Sequence, residues 1–283
     1  MAESSAARHG GVPPLLVVCA LGIERRALRG GDRSAAAGPM VLLRTGMGPR
    51  AAERSILRIL AADRQPPGAP PPTAPPQQAP DAQDPHCPYE PCDARGPYDV
   101  HGPYEAQELD DTPGPGQAAG GPGVRRPAAV IATGFCAGLV PGMHPGDLVV
   151  ADETRDASGV TACTGADVLA KALAELPRRA RGAAPAVHVG PVAGSDHVVR
   201  GVERARLRAT GALAVDMESA ATLRTAVGAG PRPVAAVRVI VDAPEHELLR
   251  IGTLRGGISA FRVLRSILPA FCQWHRSLPL SRR

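Results

Sequence analysis

Short apolar runs alternate with amphipathic segments along most of this 283-residue chain. The runs are continuous in apolar character, which is typical of strands that are buried on both faces of a sheet. The segments between them carry apolar residues on one face only, as in Ala51–Ala62, and predict helices. Strands that alternate with helices predict an α/β fold: a single domain with a central mixed, mainly parallel sheet flanked by helices.

The predicted elements share this pattern. The strands are Leu15–Leu21, Met40–Arg44, Ala128–Thr133, Leu148–Ala151, Ala186–Ala193, Ala212–Val215 and Pro233–Val241. The helices are Glu24–Arg29, Ala51–Ala62, Ala166–Leu176, Val198–Arg208, Glu218–Val227 and Ile258–His275. After the third strand, Gly134–Leu139 predicts a glycine-rich loop.

Residues 64–127 interrupt the pattern with a composition rich in Pro, Gly, Gln and Asp. This stretch has too little apolar surface to offset the entropy that ordering would cost, so we expect a disordered insertion. The domain then has a first part, residues 15–62, and a second part, residues 128–283, which ends in an amphipathic helix. Cys87 and Cys92 in the insertion are spaced too loosely to favour a metal site.

The charge of the chain is uneven. Its formal net charge is +5, although nine acids and a single arginine lie between Gln65 and Val124, so the rest of the chain is strongly basic. Because Lys171 is the only lysine among 32 basic residues, we attribute most of this excess to a genomic preference for arginine and expect no nucleic-acid partner. Six scattered cysteines indicate reduced thiols in a cytoplasm, and no apolar run is long enough to span a membrane.

The last predicted helix, Ile258–His275, has two interpretations. Its apolar residues recur every three or four positions, which indicates packing against the sheet. Its arginines and Trp274 also suit an interfacial helix that takes a lipid-linked substrate from an anionic membrane surface. The second interpretation predicts weak peripheral contact with the inner face of the cell membrane.

Carboxylates follow three predicted strands directly: Glu24, the pair Asp216 and Glu218, and Asp242. A single acid at such a position is usually a helix cap or a surface group. However, ligands of open α/β sheets bind at the carboxyl ends of the strands. Since these acids all interrupt apolar strand ends beside glycine turns, we expect them to share one site.

Four segments resemble, in order, the signatures of the nucleoside phosphorylase/nucleosidase superfamily. They are Gly134–Leu139, Pro145–Val150, Val215–Ala221 and Arg238–Asp242, and the resemblance extends from Leu15 to about Pro244 outside the insertion. The form Asp216-Met217-Glu218-Ser219 and the segment Asp242–Leu248 are most similar to the hopanoid-biosynthesis branch. That branch implies removal of adenine from adenosylhopane to release ribosylhopane, and the methylthioadenosine/S-adenosylhomocysteine nucleosidases are its well-understood relatives.

The resemblance implies a role for each acid in cleaving an N-ribosidic bond. Asp242 would be the general acid at purine N7, Glu218 would bind the ribose hydroxyls and stabilise the ribosyl cation, and Glu24 would orient the attacking water. The resemblance also implies a homodimer, a nucleoside as the small-molecule ligand, and no cofactor or metal. Further substrate contacts are implied for Met217, Asp216, Phe135, Cys136, Ala137, Gly138, Val198, Val199 and Arg238.

Alternatives to this hydrolase remain open. Arg44 and the backbone N–H groups of Gly46 and Gly48 would suit an anion, which favours phosphorolysis, whereas Glu24 would repel phosphate. A methylthioadenosine/S-adenosylhomocysteine nucleosidase is a second alternative. A nucleoside-binding scaffold without catalysis is a third, because Val241 stands where nucleosidases have a serine and Val198 where they have a purine-stacking aromatic. His197 either caps the next helix or faces the ligand.

Overall fold

The computed structural model describes residues 12–62, 127–176, 184–243 and 253–279. These residues belong to one compact unit. The predicted insertion, 64–127, lies outside the described residues except for Pro127, so its disorder stays a prediction. Pro127 is buried, and its carbonyl accepts a hydrogen bond from Arg232.

The described residues form strands and helices in alternation. The strands are β1 (Leu15–Cys19), β2 (Met40–Arg44), β3 (Ala129–Gly138), β4 (Leu148–Asp156), β5 (Gly159–Ala162), β6 (Val187–Gly194), β7 (Ala214–Asp216) and β8 (Val234–Asp242). The helices are α1 (Gly22–Arg29), α2 (Pro49–Ala62), α3 (Ala166–Ala174), α4 (Gly201–Ala209), α5 (Ser219–Gly228), α6 (Thr253–Ser266) and α7 (Leu268–Ser277).

The strands pair in a mixed, mainly parallel sheet, which confirms the predicted fold class. The order is β2-β1-β3-β7-β6-β4-β5, and β8 pairs with both β3 and β4. Five strands therefore close a ring in the order β3, β8, β4, β6, β7 and back to β3. The pairs β3–β7, β4–β5 and β4–β8 are antiparallel and the others are parallel.

The prediction of a glycine-rich loop at Gly134–Leu139 is wrong, because β3 continues through this segment to Gly138. β8 pairs with β3 from Val130 to Ala137, and the register shifts between Cys136 and Ala137. This pairing gives the segment a strand partner on one edge despite its glycines. Gly134 takes a φ of 139°, a conformation that favours glycine, so the strand can bend at this point.

The other edge of β3 is divided between two strands. β1 pairs with residues 129–132, and β7 pairs with residues 137–138. β1 and β7 lie on one edge of β3 and β8 lies on the other, since β8 also pairs with Ala132 and Ala137. Residues 133–136 consequently face a gap between the end of β1 and β7, and this gap positions the functional site.

The predicted helix Ile258–His275 is two helices, α6 and α7, with Ile267 between them and a proline in the first turn of α7. Phe271 and Trp274 are fully buried, and the Trp274 indole donates a hydrogen bond to the carbonyl of Thr164 at 2.8 Å. The apolar side of these helices therefore packs in the core, as the first of the two interpretations predicts. None of the helices that the structure describes is long and apolar enough to cross a membrane.

Candidate active site

A cavity of about 360 Å³ lies at the ends of β3, β7 and β8 and contains all three predicted acids, Glu24, Glu218 and Asp242. We call it the carboxylate cavity. Of the further contacts implied by the resemblance, Asp216, Met217, Phe135, Cys136, Ala137, Val198 and Val199 also line it. Its lining includes residues that the sequence did not single out as substrate contacts, among them Ala20, Leu21, Met47, Val215 and Val241.

Glu24 fills the gap beside β3. It is the third residue of α1 and is only 2% exposed. One carboxylate oxygen accepts hydrogen bonds from the backbone N–H groups of Ala20 (2.9 Å) and Leu21 (2.8 Å). The other accepts one from the N–H of Phe135 at 2.7 Å. The carboxylate thus replaces a strand partner for β3 and is held in one orientation.

Arg238 supplies the positive charge beneath the cavity. It lies in β8, is 1% exposed, and donates to Ser219 Oγ at 2.8 Å and to the carbonyl of Thr133 at 3.2 Å. Its Nε also forms an ion pair with Asp216 at 2.5 Å. Burial opposes its charge, but the neighbouring carboxylates, Asp216 foremost, outweigh burial and raise the pKa of Arg238, so the guanidinium stays protonated.

Asp216 is occupied by protein groups. One of its oxygens accepts from the N–H groups of Glu218 (3.2 Å) and Ser219 (3.0 Å), and the other accepts from Ser219 Oγ and Arg238. These bonds shape the turn from β7 into α5, on which Glu218 lies. The resemblance implies Asp216 and Arg238 as substrate contacts. The structure shows both bonded to protein groups, and their contact with a substrate stays a prediction.

Glu218 is 8% exposed and immediately precedes α5. Its carboxylate accepts a hydrogen bond from the N–H of Gly48 at 2.8 Å. Burial raises the pKa of Glu218, and the charge of Arg238 offsets this only in part. Glu218 accepts a hydrogen bond from one backbone N–H group and Glu24 from three, so the Glu218 carboxylate is the better placed of the two to accept hydrogen bonds from a ligand.

The predicted anion site does not present free N–H groups. The N–H of Gly46 donates to the carbonyl of Ala20 at 3.1 Å, and that of Gly48 donates to Glu218. Both glycines have positive φ, 83° and 88°, which shapes the turn between β2 and α2. Arg44 is exposed at the end of β2. The turn is thus built to hold Glu218 in place.

Asp242 lies at the end of β8 with its side chain 14% exposed. Its Oδ2 accepts a hydrogen bond from Arg204 Nη1 at 3.0 Å. Arg204 Nη2 donates to the carbonyl of Gly138, at the end of β3, at 2.8 Å. Sequence reasoning did not find Arg204, because its position on α4, 38 residues before Asp242, carries no motif. Gly138 itself contributes this carbonyl and does not line the cavity.

His197 stands at the rim of the carboxylate cavity and of a neighbouring polar cavity of about 400 Å³. Its ring bonds to Asp196 at 2.7 Å and to Glu203 at 3.0 Å. These two side chains raise the pKa of His197, Asp196 most strongly. His197 thus bonds to a side chain in the first turn of α4, whose N-cap is Arg200.

Cys136 is the thiol of the cavity lining, and burial raises its pKa well above the ordinary range. It is therefore a neutral thiol and a poor nucleophile. Across the ranges that the structure describes, no three His, Cys, Asp or Glu side chains are arranged so that they could hold one metal ion. The groups available for chemistry in this cavity are its carboxylates.

The described geometry is that of an α/β enzyme whose cavity presents carboxylates at strand ends. A family model described as the phosphorylase superfamily matches residues 110–255, which is more than half of the chain. The chain belongs to the phosphorylase superfamily. This confirms the superfamily, and with it the expected enzyme of the purine nucleosidase and phosphorylase type.

Solved structures of nucleosidases share the fold. The 5′-methylthioadenosine/S-adenosylhomocysteine nucleosidase of S. pneumoniae has a TM-score of 0.57 at 17% identity, over 92% of this chain and 98% of its own. That of Neisseria meningitidis has a TM-score of 0.57 at 17% identity, over 94% and 99%. That of Helicobacter pylori has a TM-score of 0.57 at 12% identity, over 91% and 97%. No curated protein sequence matches the chain.

Proposed function

We propose that this protein is an N-ribosyl hydrolase that releases adenine from an adenosine with an apolar 5′ substituent, and that adenosylhopane, converted to ribosylhopane, is its substrate. The observation that carries the proposal is the convergence of Glu24, Glu218 and Asp242 in one largely apolar cavity. The fold shared with methylthioadenosine/S-adenosylhomocysteine nucleosidases supports an adenosine derivative as the substrate class.

Each acid has a task in breaking the bond between ribose C1′ and purine N9. Asp242 delivers a proton to the purine, so that the electrons of the breaking bond leave with a neutral base. Glu218 accepts hydrogen bonds from the ribose hydroxyls and stabilises the cation that develops at C1′. Water, oriented by Glu24, then attacks C1′, and the Glu24 carboxylate accepts the proton that the water loses. The products are free adenine and a ribose that keeps its 5′ substituent.

Hydrolysis fits the cavity better than phosphorolysis. A phosphate dianion next to Glu24, a buried carboxylate, would be repelled, whereas water is polarised. The N–H groups of Gly46 and Gly48 are already bonded within the protein. A phosphorolytic enzyme would have to break the bond between Gly48 and Glu218 to free one of them.

The apolar character of the lining supports an apolar 5′ group. Phe135, Val198, Val199, Met47 and Met217 all contribute to it. Each CH₂ that the substrate buries is worth about 0.8 kcal/mol, or roughly fourfold in kcat/KM. A methylthioadenosine nucleosidase with a closed pocket for a methylthio group is the second candidate, and it would gain little from a longer chain.

The test is adenine release from a series of 5′-alkyl adenosines of increasing chain length, with methylthioadenosine in the same series. We expect free adenine without added phosphate, kcat/KM that rises with chain length, and loss of release in Asp242→Asn. Asp167→Asn, an exposed acid on α3, is the matched control and should behave as wild type. Tight nucleoside binding without turnover over hours would instead establish a binding scaffold, and ribose 1-phosphate as product would establish phosphorolysis.

The proposal includes two properties of the assembly. A homodimer is implied by the family resemblance, and light scattering after size-exclusion chromatography measures it. Weak contact with the inner face of the membrane would depend on charge, because Trp274 and Phe271 are buried. Binding to anionic liposomes should therefore fall steeply as salt rises. Equal binding to neutral liposomes would contradict this mode of contact.

A further inference from the structure

Arg204 is a cation that contacts the proposed general acid, Asp242. We propose that Arg204 is a positioning residue for Asp242: it fixes the direction of the carboxyl group, and its charge sets the pH above which Asp242 no longer carries the proton that it gives to the purine. This rests on the proposed function, since it assumes that Asp242 acts on the leaving base. The residue lies outside the family-like segments on which the site was predicted.

The geometry of the guanidinium carries the proposal. Arg204 donates from Nη1 to Asp242 Oδ2 at 3.0 Å and from Nη2 to the carbonyl of Gly138 at 2.8 Å. The two acceptors lie at the ends of β8 and β3, which pair at Ala137 and Asp242. A planar fork with two parallel N–H groups suits this arrangement, whereas a lysine ammonium would reach it as a point charge. The side chains of Arg204 and Asp242 are 12% and 14% exposed, so water screens the pair only weakly.

The helix that carries Arg204 is attached through the partly buried Leu207 and through polar groups. α4 has no buried residue, and its N-cap makes no side-chain hydrogen bond. The neighbouring residue Glu203 bonds to His197, on the loop that lines the cavity, at 3.0 Å. Glu203 and Arg204 thus fasten α4 to two sides of the carboxylate cavity.

The charge of Arg204 determines in which direction its removal shifts the pH dependence of activity. A guanidinium in contact with a carboxylate favours the ionised form, and Asp242 must be protonated to act as an acid. Activity should therefore be lost as the pH rises, and removal of Arg204 should move this alkaline limb to higher pH. The other titratable groups that line the cavity, and stay in place in the variant, are Glu24 on α1, Cys136 on β3, Asp216 on β7, Glu218 before α5 and His197.

The test compares Arg204→Gln with Arg204→Lys. We expect Arg204→Gln to lose about tenfold or more in kcat and to shift the alkaline limb of kcat upward by about one pH unit. Arg204→Lys should return the alkaline limb of kcat toward its wild-type position, because the positive charge is kept. It should recover only part of kcat, because lysine lacks the two parallel N–H groups of the guanidinium. Arg206→Gln, an exposed arginine on the same helix, is the control and should match wild type.

An equal loss in both variants with an unshifted limb would overturn the proposal, because it would show that Arg204 only anchors α4. A second measurement needs no catalysis: a double-mutant cycle of Arg204→Gln with Asp242→Asn, followed by urea unfolding. The stability lost in Arg204→Gln should shrink when Asp242 is already neutral, and additive losses would refute the pairing. If wild type releases no adenine from any substrate, the proposed function fails, while this cycle still tests the pairing.

Discussion

Replacing Glu24 with glutamine should destabilise the protein as well as inactivate it. The side chain keeps its size, but only one of its two ends remains an acceptor. The best placement directs the amide oxygen at the N–H groups of Ala20 and Leu21 and the NH₂ at the N–H of Phe135. Two donors then face each other beside β3, and the anion next to Arg238 is lost.

The cost follows from these bonds. One amide hydrogen bond is lost with its donor partly buried, which costs about 1 to 3 kcal/mol, and two charge-assisted bonds become weaker neutral ones. The sum is about 2 to 4 kcal/mol, or a fall in Tm of roughly 5 to 15 °C for a domain of this size. Few substitutions of equal volume cost so much.

Trp274, the single tryptophan, is fully buried, so its fluorescence reports unfolding in urea. Glu175→Gln changes an exposed residue at the end of α3 and should alter the unfolding free energy by no more than about 0.5 kcal/mol. If Glu24→Gln is as stable as this control, the Glu24 carboxylate does not stabilise β3, and it does not replace a strand partner in the gap between β1 and β7.

Three further predictions concern the same region. Glu218→Gln should abolish activity and leave the free energy of unfolding at pH 7 unchanged or higher. Burial raises the pKa of Glu218 above 4.5, so the folded state loses stability as the pH rises and this side chain becomes ionised. A variant that is less stable than wild type at pH 7 would contradict this reasoning. Gly134→Ala should lose at least about 2 kcal/mol in urea unfolding, since its φ is 139° and a Cβ would lie 2.5 Å from the Glu24 carboxylate. The pKa of His197, measured by NMR, should lie above 6.5 because Asp196 and Glu203 favour the charged form of the ring, and Glu203→Gln should lower it. The ion pair between His197 and Glu203 of α4 is then present below pH 6.5 and is lost as the pH rises through the raised pKa. An unchanged His197 titration in Glu203→Gln would refute this ion pair.

The strands were predictable because they are continuous apolar runs. β2 begins and ends where the sequence predicts. β1 begins as predicted and ends two residues earlier, and β8 begins and ends one residue later than predicted. The second half of β3 was not predictable from the sequence. Its local composition, with Gly134 and Gly138, predicts a loop, but pairing with β8 makes the segment a strand. β5 escaped notice because three of its four residues are exposed, so it has no apolar run.

The site was partly predictable for a topological reason. β1 and β8 both run parallel to β3, so the acids at or after their carboxyl ends, Glu24 and Asp242, come to the same edge of the sheet. β7 is antiparallel to β3, so this rule does not predict the place of Glu218, which lies in the turn from β7 into α5. Which polar group lies behind each acid depends on packing between distant elements. Arg238 stands within a strand and Arg204 on a helix without buried residues, and neither position has a periodic signal.

The gap beside β3 explains why the site forms where it does. A sheet edge that loses its partner must satisfy its N–H groups in another way, and at Phe135 a carboxylate does so. That carboxylate needs a nearby cation once it is buried, and Arg238 lies below it in the adjacent strand. Asp216 and Glu218 also lie near this arginine, and together with Glu24 they favour its charged form. The gap between β1 and β7, which leaves four residues of β3 without a strand on one edge, therefore lies beside the cluster of charges that the proposed chemistry uses.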